Sequence, residues 1–288
     1  MANGILIIDK PQDWTSHDVV AKCRRVLHER RVGHAGTLDP MATGVLPVFV
    51  GRATRAVEFA AGSDKEYLAG LRLGVRTDTQ DTTGTVLEER PVTADRAALE
   101  AVLEDFRGEI LQVPPMYSAL KVKGQKLYEL ARKGVEVERA PRPVTIHALE
   151  VVEQVSGSEF RLRVACSKGT YVRTLCHDIG AKLGCGGAMY ALRRVRACGF
   201  GEADALPLET VLTHPDPASL LRPVDAYFSA YPAVTVDQRR ANAARNGAPF
   251  PQRGAEGTYR VYGPDGQFLL LGDLRKGRMT TIKSFFEV

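Results

Sequence analysis

No two of the five cysteines in this sequence (Cys23, Cys166, Cys176, Cys185 and Cys198) have C-x-x-C spacing, and an odd number cannot all pair. That argues against a disulfide framework and against a zinc site, and it fits a reducing compartment. Long hydrophobic runs are scarce as well. The opening MANGILIIDKPQDW holds only a short apolar stretch with Asp9 just behind it. Neither a signal peptide nor a membrane span is expected, and the expected location is the cytoplasm. The common enzyme signatures are missing too: no G-x-x-x-x-G-K-[ST], no G-x-S-x-G elbow, no H-E-x-x-H, and no dinucleotide fingerprint after a strand. No cluster of His and carboxylates has metal-ligand spacing. An enzyme built from this chain is expected to use no metal and no cofactor. One carboxylate, a few aromatics and an arginine would have to suffice. Repeats and low-complexity tracts are also lacking, which sets aside solenoid and disordered architectures.

What is present is ordinary globular material. The chain has 288 residues, 44% hydrophobic and 25% charged, enough for a sizeable core without covalent staples. Net charge is +5. Its distribution is uneven. Tyr231 to Val288 carries nine Lys or Arg against five acids, and Met116 to Val144 carries seven against three. Two such stretches suit contact with an extended polyanion at two places, and they equally suit solvated faces.

Hydrophobic periodicity predicts an α+β protein. GILIID reads as a strand. KPQDWTS reads as a turn, and Ser16 as the N-cap of a helix to about Glu29 with Val19, Val20, Cys23, Val26 and Leu27 on one face. VLPVFVG reads as a strand, with Pro47 marking an edge or a bulge. KEYLAGLRLG alternates like a half-buried strand, with Tyr67, Ala69, Leu71 and Leu73 on one side. TADRAALEAVLEDF and GTYVRTLCHDIGAKLG read as helices; VTIHALEVVEQV, EFRLRVACS and AMYALRRVRACGF read as strands. Strands that follow one another without helices disfavour a doubly wound parallel sheet. HPDPASLLRPVDAYFSAYPAV resembles a boundary, so a larger domain over 1–228 and a small β-rich module over 231–288 are expected.

One segment does not fit a buried helix or a plain hairpin. GHAGTLDPMATGVLPVFVGRATR, from Gly33 to Arg55, packs a His, an Asp-Pro pair and many small residues into a loop before a strand. Taken alone, Asp39 is a turn former and His34 a loop histidine. Small residues around one carboxylate also let a bulky planar ligand come close to it. In CSKGTYVRTLCHDIG, Arg173 lies early in a helix after a Gly-Thr turn. It reads either as a surface arginine or as a guanidinium that keeps a carboxylate ionised and oriented. Tyr67 and Tyr171 read as core aromatics or as covers for the face of a base.

Together these segments resemble the TruB family of tRNA pseudouridine synthases. The Gly33–Arg55 run is similar to the family's active-site segment. GILIIDKPQDWTSHDVV, SDKEYLAGLRLGVRTDTQDTTG, PPMYSALKVKGQKLYELARKG, CSKGTYVRTLCHDIG and AMYALRRVRACG come in the family's order. The resemblance covers most of Gly4 to Gly201; the tail from about Tyr231 resembles a PUA-type RNA-binding module more weakly. The fold it implies is the pseudouridine synthase fold, a mixed, largely antiparallel sheet flanked by helices, with a small C-terminal β-rich PUA-like module. The function it implies is isomerisation of a uridine in the T-loop of tRNA, at conventional position 55. Asp39 matches the catalytic aspartate and Arg173 its arginine partner. His34 matches a histidine that stacks in the T-loop and holds the target nucleotide out. Tyr67 matches the tyrosine that stacks on the flipped base. Tyr171 and Leu192 match residues lining the uracil pocket, and Lys10 a lysine near the site. The 116–144 stretch matches an insertion that closes over the T-arm. The expected partner is tRNA alone, with no membrane, no protein partner and a monomeric chain.

The residues suit that chemistry. Moving a glycosidic bond from nitrogen to carbon changes neither mass nor redox state. It needs an ionised carboxylate in a dry pocket, and an adjacent arginine opposes the pKa rise that burial brings. The base must leave its stack, a cost of a few kcal/mol that stacking and phosphate contacts offset. Attack at C1′, attack at C6 and removal of the C2′ proton all remain open. So do a guide-RNA-dependent synthase and a non-catalytic RNA-binding protein that kept the fold.

Overall fold

The computed structural model describes residues 2–122 and 124–286. Lys123, counted in the first basic stretch, and Glu287, counted in the second, lie outside the described residues. The chain divides into two compact units: Met1–Asp39, Leu46–Ala61 and Cys198–Val288 form one, and Pro40–Val45 with Gly62–Ala197 form the other. The fold is α+β, as the periodicity predicts.

In the second unit the sheet order is Gly187–Ala197, Lys65–Leu73, Glu159–Cys166, Arg142–Gln154, Gly108–Gln112, with every neighbour antiparallel. Thr43 and Gly44 add a short parallel pairing to Arg193 and Arg194. The alternation in KEYLAGLRL is realised: Tyr67, Ala69, Leu71 and Leu73 are all buried. Phe160, Leu162 and Val164 sit on their flank. The helix Val172–Lys182 covers this sheet with Leu175, Cys176 and Ile179. It approaches closely because Gly180 has no side chain; a Cβ there would lie 2.2 Å from the Gly187 nitrogen.

In the first unit Gly4–Lys10 lies beside Thr43–Val50, and parallel to Leu206–Pro207 on its other side. The helix after it spans Ser16–Val26 and differs from expectation at both ends. Its N-cap is Thr15, not Ser16. Thr15 accepts from the Asp18 N–H while Asp18 accepts from Thr15, a complete capping box. It stops before Glu29 because His28 turns to a φ of +49°. Pro47 also departs from the expectation of an edge, since Thr43–Val50 is an interior strand. Pro47 still serves as an acceptor there: its carbonyl takes the Ala35 N–H at 3.1 Å.

The last residues of the same unit form a five-stranded sheet, Ala233–Thr235, Gly257–Tyr262, Phe268–Arg275, Arg278–Ser284, Phe250–Pro251. This part is not purely β: a helix, Gln238–Arg245, is capped by Asp237 and buries Ala241 and Ala244 against Val261, Leu270 and Met279. Its Ala- and Arg-rich sequence has good helix propensity but too narrow an apolar stripe to stand out. Phe228 packs edge-on against Phe59 and Tyr227 and also meets Phe268 and Phe285. None of the five cysteines is in a disulfide, and all five are buried. No helix among the described residues is long and apolar enough to cross a membrane.

Candidate active site

In the first unit the residues singled out from sequence gather around the loop that ends at Asp39. Lys10 closes the Gly4–Lys10 strand and is fully buried. Its ammonium donates to the Pro11 carbonyl at 2.8 Å and the Trp14 carbonyl at 2.6 Å. Lys10 thereby stitches the turn that delivers the Ser16–Val26 helix. His34 ends the Val32–His34 strand, half-buried. The chain then turns at Gly36, whose φ is +79°. Two anchors fix the loop on either side of that turn. The Ala35 N–H donates to the Pro47 carbonyl at 3.1 Å. The Leu38 N–H donates to Ser16 Oγ at 2.8 Å, and that hydroxyl donates back to the Leu38 carbonyl at 3.1 Å. Asp39 is the next residue, half-buried. Sequence reading did not single out Ser16 for this role; its place at a helix start concealed the buried hydroxyl.

In the second unit, Tyr67 stands opposite Arg194 on one neighbouring strand and Val164 on the other. Leu192 stands opposite Ala69. Side chains two apart on a strand share a face, so Tyr67, Ala69, Leu192 and Arg194 form one patch with the small Ala69 between its larger members. Arg194 is fully buried, and its Nε donates to the Val45 carbonyl at 2.7 Å. Gly44 is required beside it. Its φ is +99°, and a Cβ would lie 2.2 Å from the Arg194 carbonyl oxygen. The segment directly after Asp39 is thus held onto the strand that carries Leu192.

Arg173 is the second residue of the Val172–Lys182 helix and is buried. An acidic partner is Asp81, with Nη1 to Oδ2 at 3.9 Å and both side chains less than a tenth exposed. At that distance the contact is an ion pair rather than a hydrogen bond. Asp81 is itself held firmly. Its Oδ1 accepts from Thr79 Oγ1 at 2.9 Å, from the Thr83 N–H at 3.0 Å and from Thr83 Oγ1. The loop locks onto its surroundings through Thr174 Oγ1 to Gln80 Oε1 at 2.6 Å and through the Gln80 carbonyl, which accepts from the Met189 N–H. Sequence reading missed Asp81. RTDTQDTTGT looks like a solvated turn, and nothing in it distinguishes the buried Asp81 from Asp78. Further along the same helix, burial lowers the His177 pKa and raises that of Asp178 to about 6. Tyr171, half-buried, is the N-cap of this helix. Among the described residues no three His, Cys, Asp or Glu side chains come together as a metal site.

A buried guanidinium with an oriented carboxylate beside it, and a patch that sets a tyrosine beside small and apolar side chains, are what a synthase that handles a flat base would need. Comparison with known proteins places the chain in such a class. Residues 24–172 match the TruB family pseudouridylate synthase N-terminal domain, and residues 173–229 match the tRNA pseudouridylate synthase B C-terminal domain. The chain is 46% identical over 283 residues to the tRNA pseudouridine synthase B of Azoarcus sp., covering 97% of this chain and 93% of that protein. It is 42% identical over 287 residues to the protein of the same name from Escherichia coli, covering 94% and 91%. Among solved structures, one from a crystal of a Cbf5-Nop10-Gar1 complex aligns with a TM-score of 0.76 and 27% identity, over 99% of this chain and 85% of that one.

The protein is therefore an isomerase of the pseudouridine synthase class. Within that class, the chain belongs to the TruB family.

Proposed function

We propose that this chain converts uridine to pseudouridine in the T-loop of tRNA, at conventional position 55, acting alone in the cytoplasm as a monomer without a cofactor. The observation that carries this reading is the near-full-length identity to proteins named tRNA pseudouridine synthase B, 46% over 283 residues. The lower identity of 27% to the chain from the Cbf5-Nop10-Gar1 complex favours a stand-alone enzyme over one that works within such an assembly. In this reading residues 1–228 are the catalytic part, 116–144 an insertion that contacts RNA, and 231–288 a PUA-like RNA-binding module.

Asp39 acts as nucleophile or base. The bond between C1′ and N1 breaks, the uracil turns, C1′ bonds to C5, the C5 proton is lost to water and N1 takes up a proton, so the product is an isomer of the substrate. Arg173 keeps Asp39 ionised where burial would protonate it, and Asp81 holds the guanidinium in place. Tyr67 stacks on the flipped base, and Tyr171 and Leu192 close the pocket around it. His34 takes up space in the T-loop and holds the target nucleotide out of its stack. Lys10 acts at one remove, by fixing the turn at Pro11–Trp14.

The test is tritium release from a tRNA transcript labelled at uridine C5, with purified protein and nothing added. Wild type should release about one equivalent per tRNA, and Asp39→Asn none, with tRNA binding changed by several-fold at most. Release by both proteins would remove Asp39 from the chemistry. Tight binding without release by either would point to a guide-dependent enzyme or to a binding protein.

A further inference from the structure

The long basic segment of the second unit leaves the sheet and returns to it at a single rung. Gln112 is the last residue of the Gly108–Gln112 strand, and its partner is Arg142, the first residue of the Arg142–Gln154 strand. Residues 113–141 all lie between these two points. Gln112 is therefore the foot of the segment on its N-terminal side.

Gln112 is 2% exposed, and its side chain is spent on one residue. Its Nε2 donates to the Tyr171 carbonyl at 3.0 Å, and its Oε1 accepts from the Tyr171 N–H at 2.8 Å. The amide plays the part of a neighbouring strand's peptide group. It offers one donor and one acceptor in one plane, which among side chains only Gln and Asn provide at any pH. The two bonds also settle which end of the amide is oxygen, because the Tyr171 N–H requires an acceptor and its carbonyl a donor. Tyr171 is the N-cap of the helix whose second residue is Arg173, and its side chain makes no capping bond. The register of that helix start is thus set from outside, by Gln112.

We propose that Gln112 is a positioning residue that registers Tyr171 and Arg173 against the foot of the basic 113–141 segment. The inference rests on the proposed roles of Tyr171 and Arg173. It assigns Gln112 no contact with substrate. A displacement on the order of 1 Å at a reacting group costs up to about a hundredfold in rate, so the loss of this clamp acts on turnover rather than on binding.

The experiment compares Gln112→Met and Gln112→Glu with wild type, following single-turnover pseudouridine formation and tRNA affinity from about pH 8 down to about pH 5.5. Gln112→Met fills the space without donor or acceptor; its rate should fall by about ten- to a hundredfold at every pH, with tRNA affinity within about twofold. Gln112→Glu lacks the donor when ionised but regains both functions when protonated, and burial beside a carbonyl raises its pKa. Its rate relative to wild type should therefore recover as the pH falls. Melting curves give the folded fraction, so a simple loss of structure is corrected for. Wild-type rates per folded molecule in both variants, or a Gln112→Glu defect that ignores pH, would overturn the proposal. Asp39→Asn and Arg173→Ala run alongside. If they stay active, the functional reading fails; if they are dead while the Gln112 variants turn over normally, only this inference fails.

Discussion

Ser16 Oγ and the backbone of Leu38 are joined twice across 22 residues of sequence, once as acceptor and once as donor, and Leu38 is the residue before Asp39. Ser16 is 1% exposed, so no water can take the place of its hydroxyl. Ser16→Ala leaves a buried N–H and a buried carbonyl unpaired, a loss of about 1–3 kcal/mol. Denaturant unfolding should show that loss, and single-turnover rates should fall as the loop before Asp39 loosens. An unchanged unfolding midpoint would mean that the loop has another anchor.

The Arg173–Asp81 pair should behave as one unit. Breaking a buried ion pair from one side costs about 3–5 kcal/mol, much of it from the charge left behind. Asp81→Asn and Arg173→Gln should each lower the melting temperature and slow turnover. The double variant should lose clearly less than the two losses added together. Additive losses would show that the guanidinium is held by other groups.

Gly44→Ala tests the seam beside Arg194. A positive φ alone costs about 1–2 kcal/mol for a residue with a Cβ. At Gly44 that Cβ also meets the Arg194 carbonyl at 2.2 Å, whereas at Gly134 it meets nothing within 4 Å. Gly134→Ala should melt a few degrees below wild type, and Gly44→Ala far below that. Equal melting temperatures would contradict the close approach.

Asp178 supplies a pH signature. Burial raises its pKa from 3.8 to about 6. Between those values the unfolded chain has lost this proton while the folded protein keeps it. Stability therefore falls as pH rises through the window and stays lower above it. Asp178→Asn removes this effect, so its melting temperature should gain on wild type between about pH 4 and about pH 7.5. A constant difference across that range would refute the burial argument.

RNA contact by the last sixty or so residues is better tested by point changes than by removing them. Phe268 and Phe285 pack on Phe228, so truncation at Tyr231 would expose that ring. Arg239 and Arg278 are exposed and have no ion-pair partner among the described residues. Replacing both with Ala should reduce the salt dependence of tRNA affinity, with the log–log slope falling by roughly 0.7–0.9 for each phosphate that is no longer neutralised. An unchanged slope would place the RNA elsewhere.

Much of the local structure is legible in the sequence because its causes are local. Alternation in KEYLAGLRL predicts the buried face of Lys65–Leu73, and Gly-Thr before YVRTL predicts the start of the helix that carries Arg173. The departures have local causes as well. Thr15 outcompetes Ser16 as cap because only Thr15 has Asp18 three residues on to complete the box. Pro47 sits inside a sheet with its carbonyl accepting from the Ala35 N–H, and a sequence does not say which strands will flank a proline.

By itself the sequence determined most of the elements, the family and a short roster of candidate side chains, among them Asp39, Tyr67 and Arg173. Periodicity, capping and a long motif are all carried by residues close together in the chain. Only the tertiary structure decided what orients those side chains. Asp81 came beside Arg173, Ser16 beneath Leu38, and Gln112, 59 residues away, around Tyr171. A buried polar group is satisfied by whichever partner lies within about 3 Å, and that distance is set by how remote segments pack.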